Sequence, residues 1–292
     1  MIRFGTGGTP LSTKIITTKD GAKLSGRESG IYRSAELGLN HLEMEFVHGV
    51  RISEKEALSI KSTAKEKNIT LSAHGSYYIN LASKEKPKYH ASLNRVKKVL
   101  WAGSLIGAKS ITFHPAFYQG RRTDEVAKIV YDALIQIIEE TKDLNNRPLI
   151  SPETTGKPSQ WGSLEEILDV AAKINKKTGD FCVSACIDFA HLHARSNGLY
   201  NSYEEFKAIL KTIESKLGKK ALKTLHMHIS GINYGPKGEK NHLPLKESDL
   251  KYKELLQALH DLKVCGWVSC ESPNLEEDAL LLKKEYEKTS KT

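Results

Sequence analysis

Features that would place this chain in a membrane or outside the cell are missing from its sequence. No apolar run approaches the ~18 residues that a membrane-spanning helix requires. The N-terminal MIRFGTGGTP lacks the apolar core of a secretory signal. We therefore expect a cytoplasmic protein that does not associate with membranes.

Cysteine is scarce, and interdomain linkers are missing. The four cysteines, at positions 182, 186, 265 and 270, form no CxxC pair, which argues against a structural zinc knuckle and favours buried free thiols. Gly and Pro are scattered, and there is no low-complexity stretch. We expect residues 1–292 to form one domain, a length typical of a (β/α)₈ barrel at roughly 250 residues.

Charge gives a weak indication of the partner. Lys and Arg outnumber Asp and Glu by 44 to 35, for a formal net charge of +9. A basic surface favours polyanions such as nucleic acids. The excess is spread along the chain, however, and lysine-rich helix faces often only solvate a protein, so charge alone leaves nucleic-acid binding undecided.

Strand-like and helix-like patterns alternate throughout. Serines 53, 163 and 202 each precede a helical pattern and have a Glu three residues later, as in a capping box. Eight β-then-α units predict a parallel sheet closed into an α/β (β/α)₈ TIM barrel of one domain. The predicted strands are residues 2–5, 40–46, 69–74, 110–114, 148–153, 183–188, 223–229 and 266–271.

Residues with metal-ligating side chains recur where six of these strands stop. Imidazole and carboxylate groups are ligands of zinc and similar divalent ions. Active sites of such barrels lie at the C-terminal strand ends, so the side chains are expected to converge, in more positions than one metal can use. They are His74, His114, Glu153, Asp188, His191, His228 and Glu271.

The other histidines are weighed separately. A lone His near a strand or on a helical pattern is more often structural, which is the interpretation for positions 41, 48, 90 and 260. His193 is a further candidate beside the D-x-x-H pair, and His226 shares a strand face with His228. His228 is preferred because it is nearer the strand's C-terminal end. His242 and Glu239 stand in the long loop after the seventh strand. They are candidate metal ligands that this loop would bring to the site.

These residues resemble endonuclease IV, a family of metal-dependent apurinic/apyrimidinic endonucleases within the xylose-isomerase-like barrels. Its H-x-S-Y-x-I-N-L motif stands at positions 74–81, and its C-I-D-x-x-H at 186–191. Similar to its other motifs are E-T-T-G at 153–156, M-H at 227–228 and H-L-P-L at 242–245. The resemblance runs from the second predicted strand to the eighth.

The resemblance implies a site of two or three Zn²⁺ ions, with Mn²⁺ possible. His74, His114 and Glu153 would hold the first ion, and Glu153 would bridge to a second held by Asp188, His228 and Glu271. His191 and His242 would hold the third. The family's Asp ligand two residues before the last His is replaced by Lys240, and Glu239 is the candidate substitute.

The resemblance also implies catalytic roles for Glu271 and Glu153, and contact with DNA through Tyr77 and Arg51. The implied activity is hydrolysis of the phosphodiester 5′ to abasic sites in double-stranded DNA, a step of base excision repair, by a monomer. Two rivals remain open. A sugar isomerase or epimerase needs only the quartet Glu153, Asp188, His228 and Glu271, with one or two metals, and a non-catalytic nucleic-acid-binding barrel needs no metal.

Overall fold

A computed structural model describes residues 1–18 and 21–289. Eight parallel strands form a barrel in the order β1, β2, β3, β4, β6, β8, β9 and β12, with β1 paired to β12. Bridges from Ile150 to Val183 and from Glu153 to Cys186 join β6 to β8 and close the circle. The barrel strands are β1 (Ile2–Gly7), β2 (His41–Glu45), β3 (Thr70–His74), β4 (Ser110–Phe113), β6 (Leu149–Pro152), β8 (Cys186–Asp188), β9 (Leu225–Ile229) and β12 (Gly266–Cys270).

Two small antiparallel pairs project from the C-terminal end of the barrel. They are β5 (Ala116–Phe117) with β7 (Gln160–Trp161), and β10 (Gly231–Gly235) with β11 (Gly238–Leu243). The second pair is the long loop in which His242 and Glu239 were expected, so this loop is a structured hairpin.

Helices surround the barrel, and serines begin several of them as the sequence predicts. Ser163 forms a complete capping box with Glu166, whereas Ser53 and Ser202 accept a backbone N–H but lack the full reciprocal pattern. Of the helices in the described ranges, none is both long and apolar enough to cross a bilayer. The helices are α1 (Gly26–Glu36), α2 (Glu54–Glu66), α3 (Lys86–Ile106), α4 (Thr123–Glu140), α5 (Leu164–Thr178), α6 (Phe189–Arg195), α7 (Tyr203–Leu217), α8 (Lys219–Lys223), α9 (Tyr252–Asp261) and α10 (Glu276–Thr289), with a 3₁₀ turn at Leu245–Glu247.

The predicted TIM barrel is confirmed, with corrections at strand ends. The expected strand 223–229 begins only at Leu225, because residues 219–223 form α8. The expected strand 183–188 is regular only from Cys186, and Val183 contributes an isolated bridge. His114, Glu153 and Glu271 stand one residue past their strands, where side chains turn toward the barrel mouth.

The two faces of the barrel strands differ in chemistry. Successive residues of a strand point to opposite faces, and in β3 and β4 Leu71 and Ile111 alternate with Ser72 and Ser110. The serines face inward, where Ser110 Oγ lies 2.8 Å from His226 Nδ1 across the barrel. Bulky branched residues usually fill the inside of such barrels, but here buried polar side chains occupy much of it.

Candidate metal centre

The strand-end residues singled out in the sequence come together at the C-terminal mouth of the barrel. In each cluster the potential ligand atoms lie within 4.8 Å of one another. Parallel strands deliver their last residues to one rim, so residues far apart in sequence become neighbours. The clusters are His74 with His114 and Glu153; Glu153 with Asp188, His228 and Glu271; and Asp188 with His191 and His242.

Glu153 is the centre of this arrangement. Its side chain is fully buried, with Oε2 3.1 Å from His74 Nε2 and Oε1 3.4 Å from His114 Nε2. Oε1 also lies 3.4 Å from His228 Nδ1, which is itself 3.2 Å from Glu271 Oε1. One carboxylate therefore touches two of the clusters, which is the placement required of a bridging ligand.

The D-x-x-H pair is explained by the start of a helix. Asp188 is the N-cap of α6, and its Oδ1 accepts a hydrogen bond of 2.7 Å from the backbone N–H of His191. The first turn thus folds His191 back over Asp188, with His191 Nδ1 3.3 Å from Asp188 Oδ2. Capping occupies one carboxylate oxygen and leaves Oδ2 directed into the site.

Backbone carbonyls orient three of the histidines. The Nδ1 atoms of His74, His191 and His242 lie 2.7, 2.9 and 3.0 Å from the carbonyl oxygens of Gly75, Thr154 and Glu271, respectively. An imidazole that donates from Nδ1 keeps its lone pair on Nε2. These three Nε2 atoms consequently face the site and can bind a metal once it displaces any proton that they carry.

A β-bulge carries Glu239 toward His242. In the β10–β11 hairpin, Asn233 pairs with Asn241, and Tyr234 pairs with Glu239, so Lys240 is the extra residue. A bulge interrupts strict alternation, which allows Glu239 to share the inner side of the hairpin with His242. Glu239 Oε2 reaches 3.7 Å from His191 Nε2, whereas Lys240 is exposed.

Buried side-chain nitrogen and oxygen atoms without hydrogen-bond partners indicate whether these residues suit a metal. Glu153 Oε1, Asp188 Oδ2 and His228 Nδ1 are buried and find no hydrogen-bond partner within the described part of the chain. His191 Nε2 and His242 Nε2 face each other at 3.4 Å. Tetrahedral ligands at the usual zinc distances lie about 3.3–3.6 Å apart, which matches this separation and those around Glu153. The donor set fits divalent ions.

The two histidines of β9 have different surroundings, and only one of them reaches the site. Both ring nitrogens of His226 are in contact, Nδ1 with Ser110 Oγ at 2.8 Å and Nε2 with Glu43 Oε2 at 2.7 Å. His226 therefore lies below the site, and His228 carries its Nδ1 into it. His193 is directed elsewhere, with Nε2 3.1 Å from Asp249 Oδ1.

Sequence reasoning missed two carboxylates on β2. Glu43 is fully buried, and Glu45 lines the cavity, with its Oε1 buried and unpaired among the described residues. Potential ligand atoms of Glu43, Glu45 and Glu271 lie within 4.8 Å of one another. The signal was present in H-L-E-M-E, where His41 and the two acids alternate with apolar residues and so share the inner face.

Burial and neighbouring charges shift several pKa values in the centre. Burial raises the pKa of Glu45 to about 8. Burial alone would also raise the pKa of Glu271, but the adjoining His228 lowers it to about 2. For His74 burial acts downward, yet the hydrogen bond to Glu153 and the charge of Glu45 raise the pKa to about 10. Protons thus balance the carboxylates of the metal-free protein, and a divalent ion would displace them.

A cavity of about 550 Å³ opens above the ligand clusters. Its rim includes Tyr77, 61% exposed with its ring 5.9 Å from that of His74, and the partly exposed Phe117. Lys157, which was not predicted as a site residue from the sequence, supplies a cation at the rim. Arg51 lines a separate groove nearby with Arg95, so the structure does not bring it to the cavity.

Comparisons with known proteins point to the same fold. Residues 31–289 match a family model described as xylose isomerase-like TIM barrel. An uncharacterised protein of Methanocaldococcus jannaschii is 38% identical over 286 residues, 98% of this chain and 97% of that protein. A probable endonuclease 4 of Halothermothrix orenii is 28% identical over 231 residues, 72% of this chain and 81% of that protein.

Two solved structures show how widely this architecture is used. Endonuclease IV from Thermus thermophilus superposes with a TM-score of 0.71 at 17% identity, covering 99% of both chains. A D-tagatose 3-epimerase-like protein gives 0.68 at 16% identity, covering 90% of this chain and 92% of the other. At such identities the likeness shows the fold alone, so the chemistry must be argued from the site.

Proposed function

Since this chain belongs to the xylose isomerase-like TIM barrel family, we propose that it is a metal-dependent endonuclease that hydrolyses the phosphodiester 5′ to abasic sites in double-stranded DNA. The observation that carries the proposal is the convergence of four histidines in addition to the carboxylate-rich quartet. They are His74, His114, His191 and His242. A single-metal barrel has no use for this second group of donors.

The residues divide among three metal positions. His74 and His114 would hold one ion with Glu153, and Glu153 would bridge to a second held by Asp188, His228 and Glu271. His191 and His242 would hold a third together with Glu239, which the bulge at Lys240 brings to that side. When bound, clustered ions supply charge neutralisation at phosphate and activation of water. Zinc suits this mixed nitrogen and oxygen donor set, and manganese is the alternative.

The chain's own groups account for the remaining requirements. The side chain of Glu271 is 17% exposed at the cavity, so one carboxylate oxygen can accept a hydrogen bond from the attacking water and orient it. Tyr77 projects at the rim, where its ring can stack on a base next to the abasic site. Lys157 can contact a phosphate there. An abasic nucleotide leaves the duplex at little cost because it has no base to unstack.

A sugar isomerase or epimerase is the second candidate. The quartet Glu153, Asp188, His228 and Glu271 forms a cluster of its own, and this set suffices for a one-metal or two-metal sugar enzyme. The additional buried carboxylate of Glu45 beside Glu271 would also suit proton transfer. Three bound ions would favour the endonuclease and a single ion the sugar enzyme, whereas two ions fit both, so incision of abasic DNA must be measured as well.

The decisive experiment pairs elemental analysis of the purified protein with cleavage of an end-labelled duplex carrying one abasic site. We expect two or three equivalents of metal, and incision only of the damaged duplex, with a product that a polymerase extends from its 3′-hydroxyl. Chelation should abolish incision, and added zinc should restore it. One equivalent of metal without incision would favour the sugar enzyme, and a metal-free protein unaffected by chelators would favour a binding barrel.

A further inference from the structure

Glu43 lies inside the barrel below the metal ligands and belongs to none of the three implied metal positions. Its side chain is 0% exposed. It reaches from β2 to β9, although β1 and β12 separate these strands in the sheet. Its Oε2 is 2.7 Å from His226 Nε2, and its Oε1 is 2.8 Å from His228 Nε2. One carboxylate thus contacts both histidines of the H-x-H pair.

These distances determine which edge of the His228 ring faces the site. Nε2 lies against the Glu43 carboxylate, so the other ring nitrogen, Nδ1, is directed at the metal ligands, 3.4 Å from Glu153 Oε1 and 3.2 Å from Glu271 Oε1. A metal ion at Nδ1 would leave the ring with its one proton on Nε2, beside Glu43.

His228 differs in this respect from three other ligand candidates. His74, His191 and His242 are oriented by backbone carbonyls. A carbonyl is neutral, and every residue type supplies one. The corresponding partner of His228 is a charged side chain, because its Nε2 lies 2.8 Å from Glu43 Oε1. A carboxylate behind a ligating imidazole fixes its tautomer and increases its basicity, and loss of such a partner typically weakens metal binding ~10–100-fold.

Glu43 is itself held firmly. Ser72 Oγ donates a hydrogen bond of 2.5 Å to its Oε2. On the far side, Ser110 Oγ contacts His226 Nδ1 at 2.8 Å, which fixes the neighbouring ring. All of these side chains are buried, so the carboxylate cannot swing away from β9 without leaving several polar groups unpaired.

We propose that Glu43 is a positioning residue that clamps the H-x-H pair of β9 and thereby presents His228 Nδ1 to the second metal position. The inference rests on metal binding by His228, which is one part of the proposed function, and does not depend on DNA being the substrate. It holds equally for a sugar enzyme that uses the quartet.

The test is metal binding by Glu43→Gln, measured by chelator competition and by the visible spectrum of the cobalt-substituted protein. A glutamine amide keeps the size, but it removes the charge and cannot accept from both imidazoles. We expect one equivalent of zinc to bind about 10–100-fold more weakly, and the cobalt spectrum to change. The control is Glu28→Gln, a buried carboxylate at the start of α1 that contacts Ser25 and Ser59; it should bind zinc as the parent does.

A double-mutant cycle shows whether the effect passes through His228. In a His228→Ala background, Glu43→Gln should cause no further loss of zinc affinity. Equal losses in both backgrounds would overturn the positioning role and identify Glu43 as an independent ligand. Zinc affinity for every equivalent within about threefold of the parent would also overturn it, since such a change is well below the expected range.

A milder variant covers the case in which Glu43→Gln does not fold, which circular dichroism of the metal-free protein would reveal. Ser72→Ala removes the donor to Glu43 but leaves the carboxylate in place. We expect it to weaken the same zinc equivalent by about threefold to tenfold, less than loss of the carboxylate itself, and unchanged affinity would contradict the proposal. These measurements use no DNA, so a failure to incise abasic sites would count against the proposed function alone.

Discussion

The interior of the barrel and the layer between its strands and helices follow different rules. The outer layer is mainly apolar, with side chains such as Leu71, Ile111 and Leu210 fully or almost fully excluded from solvent. The interior holds buried His, Glu and Ser, among them His41, whose Nε2 lies 3.0 Å from Ser269 Oγ. Apolar burial stabilises the fold. The outer layer therefore supplies most of the barrel's stability, whereas the polar side chains of the interior orient the residues of the site.

This difference predicts that substitutions in the two regions impair different properties of the protein. A change inside the barrel should affect metal binding and chemistry first, because its groups are arranged around the site. A change in the outer layer should lower stability and leave metal stoichiometry intact. The following predictions are ordered by the size of the expected effect.

The largest effect is expected at Glu271, where Glu271→Gln keeps the shape but removes the charge. We predict near-complete loss of abasic-site incision with the fold intact, because the carboxylate both holds an ion and orients water. Initial rates on an end-labelled duplex measure this, and circular dichroism checks the fold. Glu277→Gln, an exposed neighbour on α10, is the matched control. Incision by Glu271→Gln within about tenfold of the parent, or ~1.4 kcal/mol, would argue against a central role.

The next effect concerns the hairpin that covers the site. If Glu239 and His242 both hold the third ion, Glu239→Ala and His242→Ala should each lose about one equivalent of zinc, since removal of one ligand opens a site of few donors. Elemental analysis after dialysis measures the loss. Lys237→Ala, exposed in the same hairpin, should lose none. Loss from His242→Ala alone would show that the ion is held without Glu239, and loss from neither would indicate a two-metal protein.

A substitution in the outer layer should have the opposite effect, with stability lost and metal binding retained. Leu210 lies on α7 and is 0% exposed, so Leu210→Ala should leave a cavity and destabilise the protein by about 2–5 kcal/mol. Urea unfolding of the metal-free protein measures the change. The folded variant should still bind the full complement of zinc. A variant that keeps its stability but loses metal would contradict the division between the two regions.

The limits of sequence reasoning follow the same division. Convergence of His114 and Glu153 was predictable because parallel strands end at one rim, and no side-chain detail was needed. The inward placement of Glu239 was not predictable, since it depends on a bulge at Lys240 that exists only once β10 and β11 pair. Glu43 and Glu45 were not predicted although H-L-E-M-E alternates clearly, because the predicted strand 40–46 ran past both acids and neither stood at its end.

The smallest effect is expected for two serines that line the interior. Ser110 Oγ contacts His226 Nδ1 at 2.8 Å, so Ser110→Ala leaves a buried ring nitrogen without its partner, at a cost of about 1–3 kcal/mol. Ser151 is equally buried, but its Oγ has no hydrogen-bond partner in residues 1–18 and 21–289. Ser151→Ala therefore removes an unsatisfied hydroxyl and should be neutral or slightly stabilising. Urea unfolding of both variants, metal-free, compares them directly. Equal costs would show that polarity alone, rather than pairing, governs the barrel interior.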